Sequence, residues 1–192
     1  MTLLVIGLVL FLGVHSVRIF ADDWRSARIA ALGERKWKLA YTALSLAGFV
    51  LIVYGYARAR QVTPLLYDPP LWSRHAAAAL VLIAFVLIAA AYVKGTRIKA
   101  RVGHPMVLGV KVWAFAHLLA NGTLADVVLF GSFLAWAVVD YTASRRRDRA
   151  AGVVYEAGPW SRDAIAIAAG VVAWWVFAFL LHGPLIGVRP LP

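Results

Sequence analysis

The sequence predicts an all-α polytopic membrane bundle, about six transmembrane helices with both termini outside the cytoplasm. Three observations carry this prediction: the composition, a series of apolar stretches, and the uneven placement of basic residues. Of the 192 residues, 62% are hydrophobic and only 15% are charged. A soluble domain carries roughly 45–50% apolar and about 25% charged residues. A chain this short cannot bury so much apolar surface in its own core, so lipid must cover it. We expect a single membrane domain over residues 1–192 and no soluble part.

Six apolar stretches follow one another at about 2–21, 40–57, 75–93, 105–120, 123–141 and 162–182. A span needs about 20 residues, within a range of roughly 17–25. The first, third, fifth and sixth stretches qualify outright, and the second is acceptable. The fourth is short and needs flanking residues or a locally thin bilayer. The first stretch has no basic region ahead of it and no small-residue cleavage site near Phe20-Ala21, so it reads as a retained helix and not a signal peptide.

Loop charge orients the bundle. Arg25, Arg28, Arg35, Lys36 and Lys38 follow the first stretch, and Lys94, Arg97, Lys99 and Arg101 follow the third. Arg145, Arg146, Arg147, Arg149 and Arg162 follow the fifth. The opposite side holds Arg58, Arg60, Arg74 and Arg189, four cations against fourteen. The positive-inside rule therefore places both ends outside. It also accounts for the net charge of +11 without nucleic acid, since no recognition module or aromatic–basic groove accompanies the charge. The expected partner is the lipid bilayer. With no cysteine, disulfides, thiolate catalysis and Cys-ligated metals are excluded.

Short elements lie between the spans. Residues 24–32 have helical spacing and end at Gly33, which predicts an interfacial helix with Arg side chains near anionic headgroups. Pro64, Asp68, Pro69 and Pro70 predict turns in an outer loop, and Asn121-Gly122 predicts a tight hairpin between the fourth and fifth stretches.

Ionisable residues inside a bilayer are costly and therefore begin as functional candidates. His15 lies ~9 Å from the inner end of its helix and His117 ~18 Å from the same side, at about 1.5 Å per residue. His104 lies at the inner boundary, and His75 and His182 at the outer one. Two membrane histidines on different helices suit axial ligation of a haem, since neutral imidazole is the commonest metal ligand. A buried histidine bonded to a backbone carbonyl or hydroxyl is the alternative. His117 shares a face with Val110, Trp113, Ala114 and Asn121. Lys111 points about 120° away from that face, either snorkelling, pairing with Asp140, or meeting a propionate or substrate anion. It is expected to face other helices and not lipid. Arg18, near His15, is a topology anchor or a propionate partner. Asp126 is expected near water. Small residues such as Gly109, Ala114, Gly131 and Ala135 favour close packing of the fourth and fifth helices.

Several motifs then coincide. His15-Ser16-x-Arg18 is followed by Gly33-Glu34-x-x-Trp37-Lys38, His104-Pro105-Met106-x-x-Gly109, Trp113-Ala114-x-Ala116-His117-Leu118-Leu119-Ala120-Asn121-Gly122 and Leu129-Phe130-Gly131. Together they resemble the NnrU family of bacterial membrane proteins over essentially the whole chain. The resemblance implies an inner-membrane protein linked to nitrogen-oxide (denitrification) metabolism by sensing, electron transfer or haem handling. The same pattern is similar to 15-cis-zeta-carotene isomerase, a membrane enzyme holding haem b. That likeness implies His15 and His117 as axial ligands; helical geometry adds Arg18, Lys111, Trp113 and Asn121 as candidates around the cofactor, and His104 is the reserve ligand if the first helix is shifted. It also raises an isomerase of a lipophilic polyene as an alternative. The isomerase's exchangeable cysteine corresponds to Ala114 here, which counts against ligand-switch chemistry. A likeness of His104-Pro105 to isoprenylcysteine methyltransferases is weaker, because Gly103 replaces their arginine; His104 reads better as a helix start with Pro105 at the first turn. The third alternative is a cofactor-free scaffold or transporter, and no internal repeat supports transport.

Overall fold

The computed structural model of the protein describes residues 1–191. The helices are α1 (Thr2–Phe20), α2 (Asp22–Leu32), α3 (Glu34–Val62), α4 (Leu71–Tyr92), α5 (Arg97–Val102), α6 (Pro105–Ala120), α7 (Leu124–Ala150), α8 (Trp160–Trp175) and α9 (His182–Ile186). A π-helical segment, Val176–Leu181, joins α8 to α9. Five helices are long and apolar enough to cross a membrane: α1, α3, α4, α7 and the run from α8 through α9. The apolar α6, with 16 residues, is shorter.

Packing is sequential around the bundle. α3 lies on α1, α1 and α3 on α7, α7 on α6, α6 on α4, and α4 on α8. α1 and α3 approach backbone to backbone. A Cβ on Gly7 would stand 2.6 Å from the Ile52 nitrogen, one on Gly48 would stand 2.8 Å from the Phe11 nitrogen, and one on Gly55 would overlap Leu4. Small residues at a crossing let two membrane helices gain dispersion contacts along their backbones, which is the main attraction available in lipid. Leu4, Leu8, Ile52, Ala59, Ala125, Leu129 and Phe130 form the adjoining core.

The three basic loops gather at one end of the bundle. There His104 meets Asp148, the Gly158 N–H donates to the Gly95 carbonyl (2.9 Å), and the Arg147 guanidinium reaches the Arg18 carbonyl (3.5 Å). Asp163 is 3% exposed and accepts from the backbone N–H groups of Arg97 and Ile98. This fastens the first turn of α5, capped by Thr96, to α8. At the opposite end the Tyr67 hydroxyl donates to the carbonyls of Leu118 and of Asn121 (2.6 Å), and Leu65 bridges Thr123. Arg60 donates there to the Ile186 carbonyl (3.1 Å).

A helix is present where one was predicted ahead of Gly33: α2, which ends at Gly33 with φ +81°. The hairpin at Asn121-Gly122 is also present: Gly122 sits so close to the Tyr67 carbonyl that a Cβ would clash. Two helices outrun their apolar stretches, α3 beginning at Glu34 and α7 continuing to Ala150. The surplus turns carry Arg35, Lys36, Lys38 and Arg145–Arg149, so the helices persist into the charged boundary where hydropathy no longer marks them.

Candidate functional site

His15 and His117 are both half-buried and follow the same local rule. A helical side chain leans toward the N-terminus of its helix, which brings the imidazole to the carbonyl four residues earlier. His15 Nδ1 donates to the Phe11 carbonyl at 2.7 Å, and His117 Nδ1 to the Trp113 carbonyl at 2.8 Å. A carbonyl only accepts, so Nδ1 carries the proton in each ring, and in the neutral form Nε2 keeps its lone pair. That is the tautomer an axial or metal ligand needs. It is not unique to this pair, since His182 Nδ1 donates to the Val188 carbonyl at 2.5 Å.

An aromatic layer surrounds and separates the two imidazoles. His15 stacks on Phe11 (4.2 Å between centroids) and stands 5.2 Å from Tyr41 and 6.1 Å from Trp136. His117 stacks on Phe130 (4.6 Å) and lies 5.0 Å from Trp113. The rings connect through Phe133, 5.9 Å from Phe11 and 5.6 Å from Trp113. On α7, His15 therefore stands beside Trp136 and His117 beside Phe130. Six residues of helix separate those levels, about 9 Å of rise.

The nitrogens that hold a single haem iron from both sides are about 4 Å apart, twice a metal–imidazole bond of about 2 Å. The donor chemistry of both histidines fits an axial ligand. Residue counts alone put both rings near mid-bilayer; their neighbours on α7, Trp136 for His15 and Phe130 for His117, lie six residues apart. Two buried polar atoms, Trp136 Nε1 on the ring beside His15 and Ser45 Oγ on α3, lack a hydrogen-bond partner among the described residues. No group of three or more metal-ligating side chains occurs among the described residues.

The other candidates have structural partners. Asn121 caps α6, its side-chain amide donating to the His117 carbonyl (2.9 Å). Trp113 is wedged between His117, Phe130 and Phe133. Lys111 is half-buried and holds its ammonium 5.8 Å from the Tyr141 ring. The expected pairing of Lys111 with Asp140 is replaced by one between Asp140 and Arg147 at 4.0 Å. Arg18 is exposed, and its backbone carbonyl, not its guanidinium, makes the contact to α7. His104 precedes α6 as expected, and its Nε2 donates to Asp148 Oδ2 at 2.8 Å. Tyr155 donates to the same carboxylate at 3.2 Å, and Arg145 lies 3.7 Å from it. In this surface cluster the Tyr155 phenol is pushed up by burial and by the charge and hydrogen bond of Asp148.

Asp126 corrects the expectation of a carboxylate near water. It is 5% exposed and closes a capping box with Thr123 at the start of α7. It also accepts from the Tyr56 hydroxyl at 2.6 Å. The capping pattern Thr123-x-x-Asp126 was readable in the sequence, but its buried partner, seventy residues away, was not.

An open groove of about 430 Å³ runs between α1 and α7, lined by Leu12, Gly13, Ser16, Ser132, Ala135 and Trp136 among others. Its wall at Trp136 is shared with the surroundings of His15.

The chain belongs to the NnrU family: the family model described as "NnrU protein" matches residues 3–190. Neither a curated protein nor a solved structure matches it.

Proposed function

We propose that the chain is a six-span inner-membrane protein, both termini outside, that binds b-type haem at His15 and His117 and serves nitrogen-oxide metabolism by sensing, electron transfer or haem handling. One observation carries the haem reading: two half-buried histidines on apolar helices both present an unprotonated Nε2 beside an aromatic layer suited to a porphyrin face. The unpartnered Trp136 Nε1 beside His15 adds capacity to bond a ligand. Bound haem would supply a redox-active iron and, where only one imidazole ligates it, an open position for a diatomic ligand. Ligation by both histidines at once requires a shift that sets their Nε2 atoms about 4 Å apart across the iron. Without that shift one imidazole binds alone.

The absorption spectrum of the purified protein, with and without added haemin, tests this. A Soret band lost in both His15→Ala and His117→Ala supports joint ligation. Loss in only one of them identifies a single axial ligand. No haem uptake by the wild-type protein, or a wild-type spectrum in the double variant, overturns the reading. His104→Ala, His75→Ala and His182→Ala should leave the spectrum unchanged. Reporter fusions at Gly33 and Arg146 should report cytoplasm, and C-terminal fusions outside.

A second reading, a haem-dependent isomerase of a lipophilic polyene, draws support from the groove between α1 and α7. It is open, mostly apolar and shares Trp136 with the His15 surroundings. Ala114, fully buried where the isomerase has its exchangeable cysteine, offers no ligand. Binding of an extended polyene that perturbs the Soret band of the wild-type protein, but not of Trp136→Ala, would favour this reading.

A further inference from the structure

We propose that the elbow between α2 and α3 is a binding site for an anionic phospholipid, its phosphodiester held by Arg28, Arg35 and Lys36 and its acyl chain laid along the outer face of α3. This inference is independent of the haem reading. α2 has no buried residue and packs only on α1 and α3, so its side chains are available to the bilayer surface. Trp24 sets its ring edge-on to Trp37 at 5.9 Å, fixing α2 against the start of α3. The Arg28 guanidinium lies 5.5 Å over the Trp24 ring, at the level where an amphipathic indole meets headgroups.

Charge at the elbow is unbalanced. Arg25 pairs with Asp22 (3.2 Å) and Lys38 with Glu34 (2.8 Å). Arg28, Arg35 and Lys36 have no carboxylate within 4.0 Å among the described residues, and of the local acids only the exposed Asp23 remains outside those pairs. A shallow notch of about 330 Å³ is lined by Glu34, Arg35, Lys38, Leu39 and Thr42, so Arg35 enters it directly while Arg28 and Lys36 add charge to the same elbow. From this notch an apolar stripe climbs α3 at helical spacing through Leu39, Leu46, Val50 and Val53, all more than half exposed. A cationic notch continuous with an apolar stripe matches a lipid with an anionic head and hydrocarbon tail. A free phosphate has no use for the stripe. A nucleic acid likewise leaves the apolar stripe uncovered.

The full-length protein in neutral detergent is titrated with fluorescent phosphatidylglycerol, then with phosphatidylcholine of the same chains. The expected result is a clear preference for phosphatidylglycerol that weakens as salt rises. Each cation near an anionic surface contributes about fivefold, so the Arg28→Gln, Arg35→Gln, Lys36→Gln variant should bind more than tenfold more weakly. An equally charged control, Arg101→Gln, Arg146→Gln, Arg149→Gln, removes exposed cations elsewhere on the same side and should bind as the wild type does. Leu46→Asn with Val50→Asn should weaken binding while leaving every charge in place. The proposal is overturned if the wild-type protein shows no headgroup preference, if both triple variants lose binding equally, or if inorganic phosphate competes as well as the lipid.

Discussion

α1 and α8 are both apolar helices, and they meet the rest of the molecule in different ways. α1 is locked to α3 by three glycines that bring backbones into contact, and it also packs on α7. α8 leans on α4, where a Cβ on Gly170 would stand 2.6 Å from Val86 Cα, and touches α5 near its start. Only 11% of the most apolar window of the α8–α9 run is buried, against 28% for α7. Hydropathy alone gives α8 the stronger claim to a core, 2.4 against 1.6 for α7. In lipid that ranking has no bearing on burial, because hydrocarbon solvates apolar side chains as well as protein does. Small residues and polar contacts decide how closely the helices pack, and His15 stands on the helix whose backbone is held closest to a neighbour.

Breaking the tight contact should have the largest effect. Gly55→Leu forces a side chain into the Leu4 backbone, and overpacking of this kind costs about 1–3 kcal/mol or more. We expect loss of folded protein in detergent by size-exclusion chromatography and a large drop in thermal midpoint. Gly170→Leu meets Val86 in the same way, but α8 can move outward into lipid, so the drop should be smaller and haem uptake should persist. Equal damage from both variants would show that α8 is as integral as α1.

The next effect tests the polar side of the contrast. Asp126→Ala removes the carboxylate of a capping box and strands the buried Tyr56 hydroxyl. Lost caps cost about 0.5–2 kcal/mol and a stranded buried partner about 1–3. Asp126→Asn keeps an acceptor for both and should lose less than half as much. Asp163→Ala frees the start of α5 from α8. It should raise proteolysis of the loop around residues 93–104 while leaving the α1–α3 half intact.

These contrasts show how much the sequence discloses. All six apolar stretches are helices, and α6 spans Pro105–Ala120 as expected because Pro105 starts it and Asn121-Gly122 ends it. α5 is too short and too basic to carry an apolar signal, and its existence depends on Asp163, sixty-six residues beyond Arg97. The π-helical turn has no periodic signature, since every nearby position is apolar. Pro184, however, lacks an N–H and crowds the carbonyl four residues earlier, at Leu180, inside the widened segment. The candidate histidines were legible as residue types in costly places. Their tautomer follows from helix geometry, but their relative depth does not. That depth depends on which residues of α7 face each imidazole, and only tertiary packing decides it.

The smallest expected effect lies at the basic end of the bundle, where Tyr155 joins the loop after α7 to the His104–Asp148 pair. Its phenol titrates above its ordinary value because burial and the neighbouring carboxylate disfavour the phenolate. A group whose pKa is raised on folding contributes stability that is fully present below its unfolded value, about 10 for tyrosine. That contribution is lost as pH rises from there through the higher folded value. Tyr155→Phe should therefore be slightly destabilising at pH 7, within about 1 kcal/mol for a partly exposed hydrogen bond. The gap between variant and wild type should close as the pH is raised above 10. Ultraviolet difference titration should show one late-ionising tyrosine fewer in the variant. A stability gap that widens with pH, or an unchanged titration, would mean that Asp148 does not hold Tyr155 in solution.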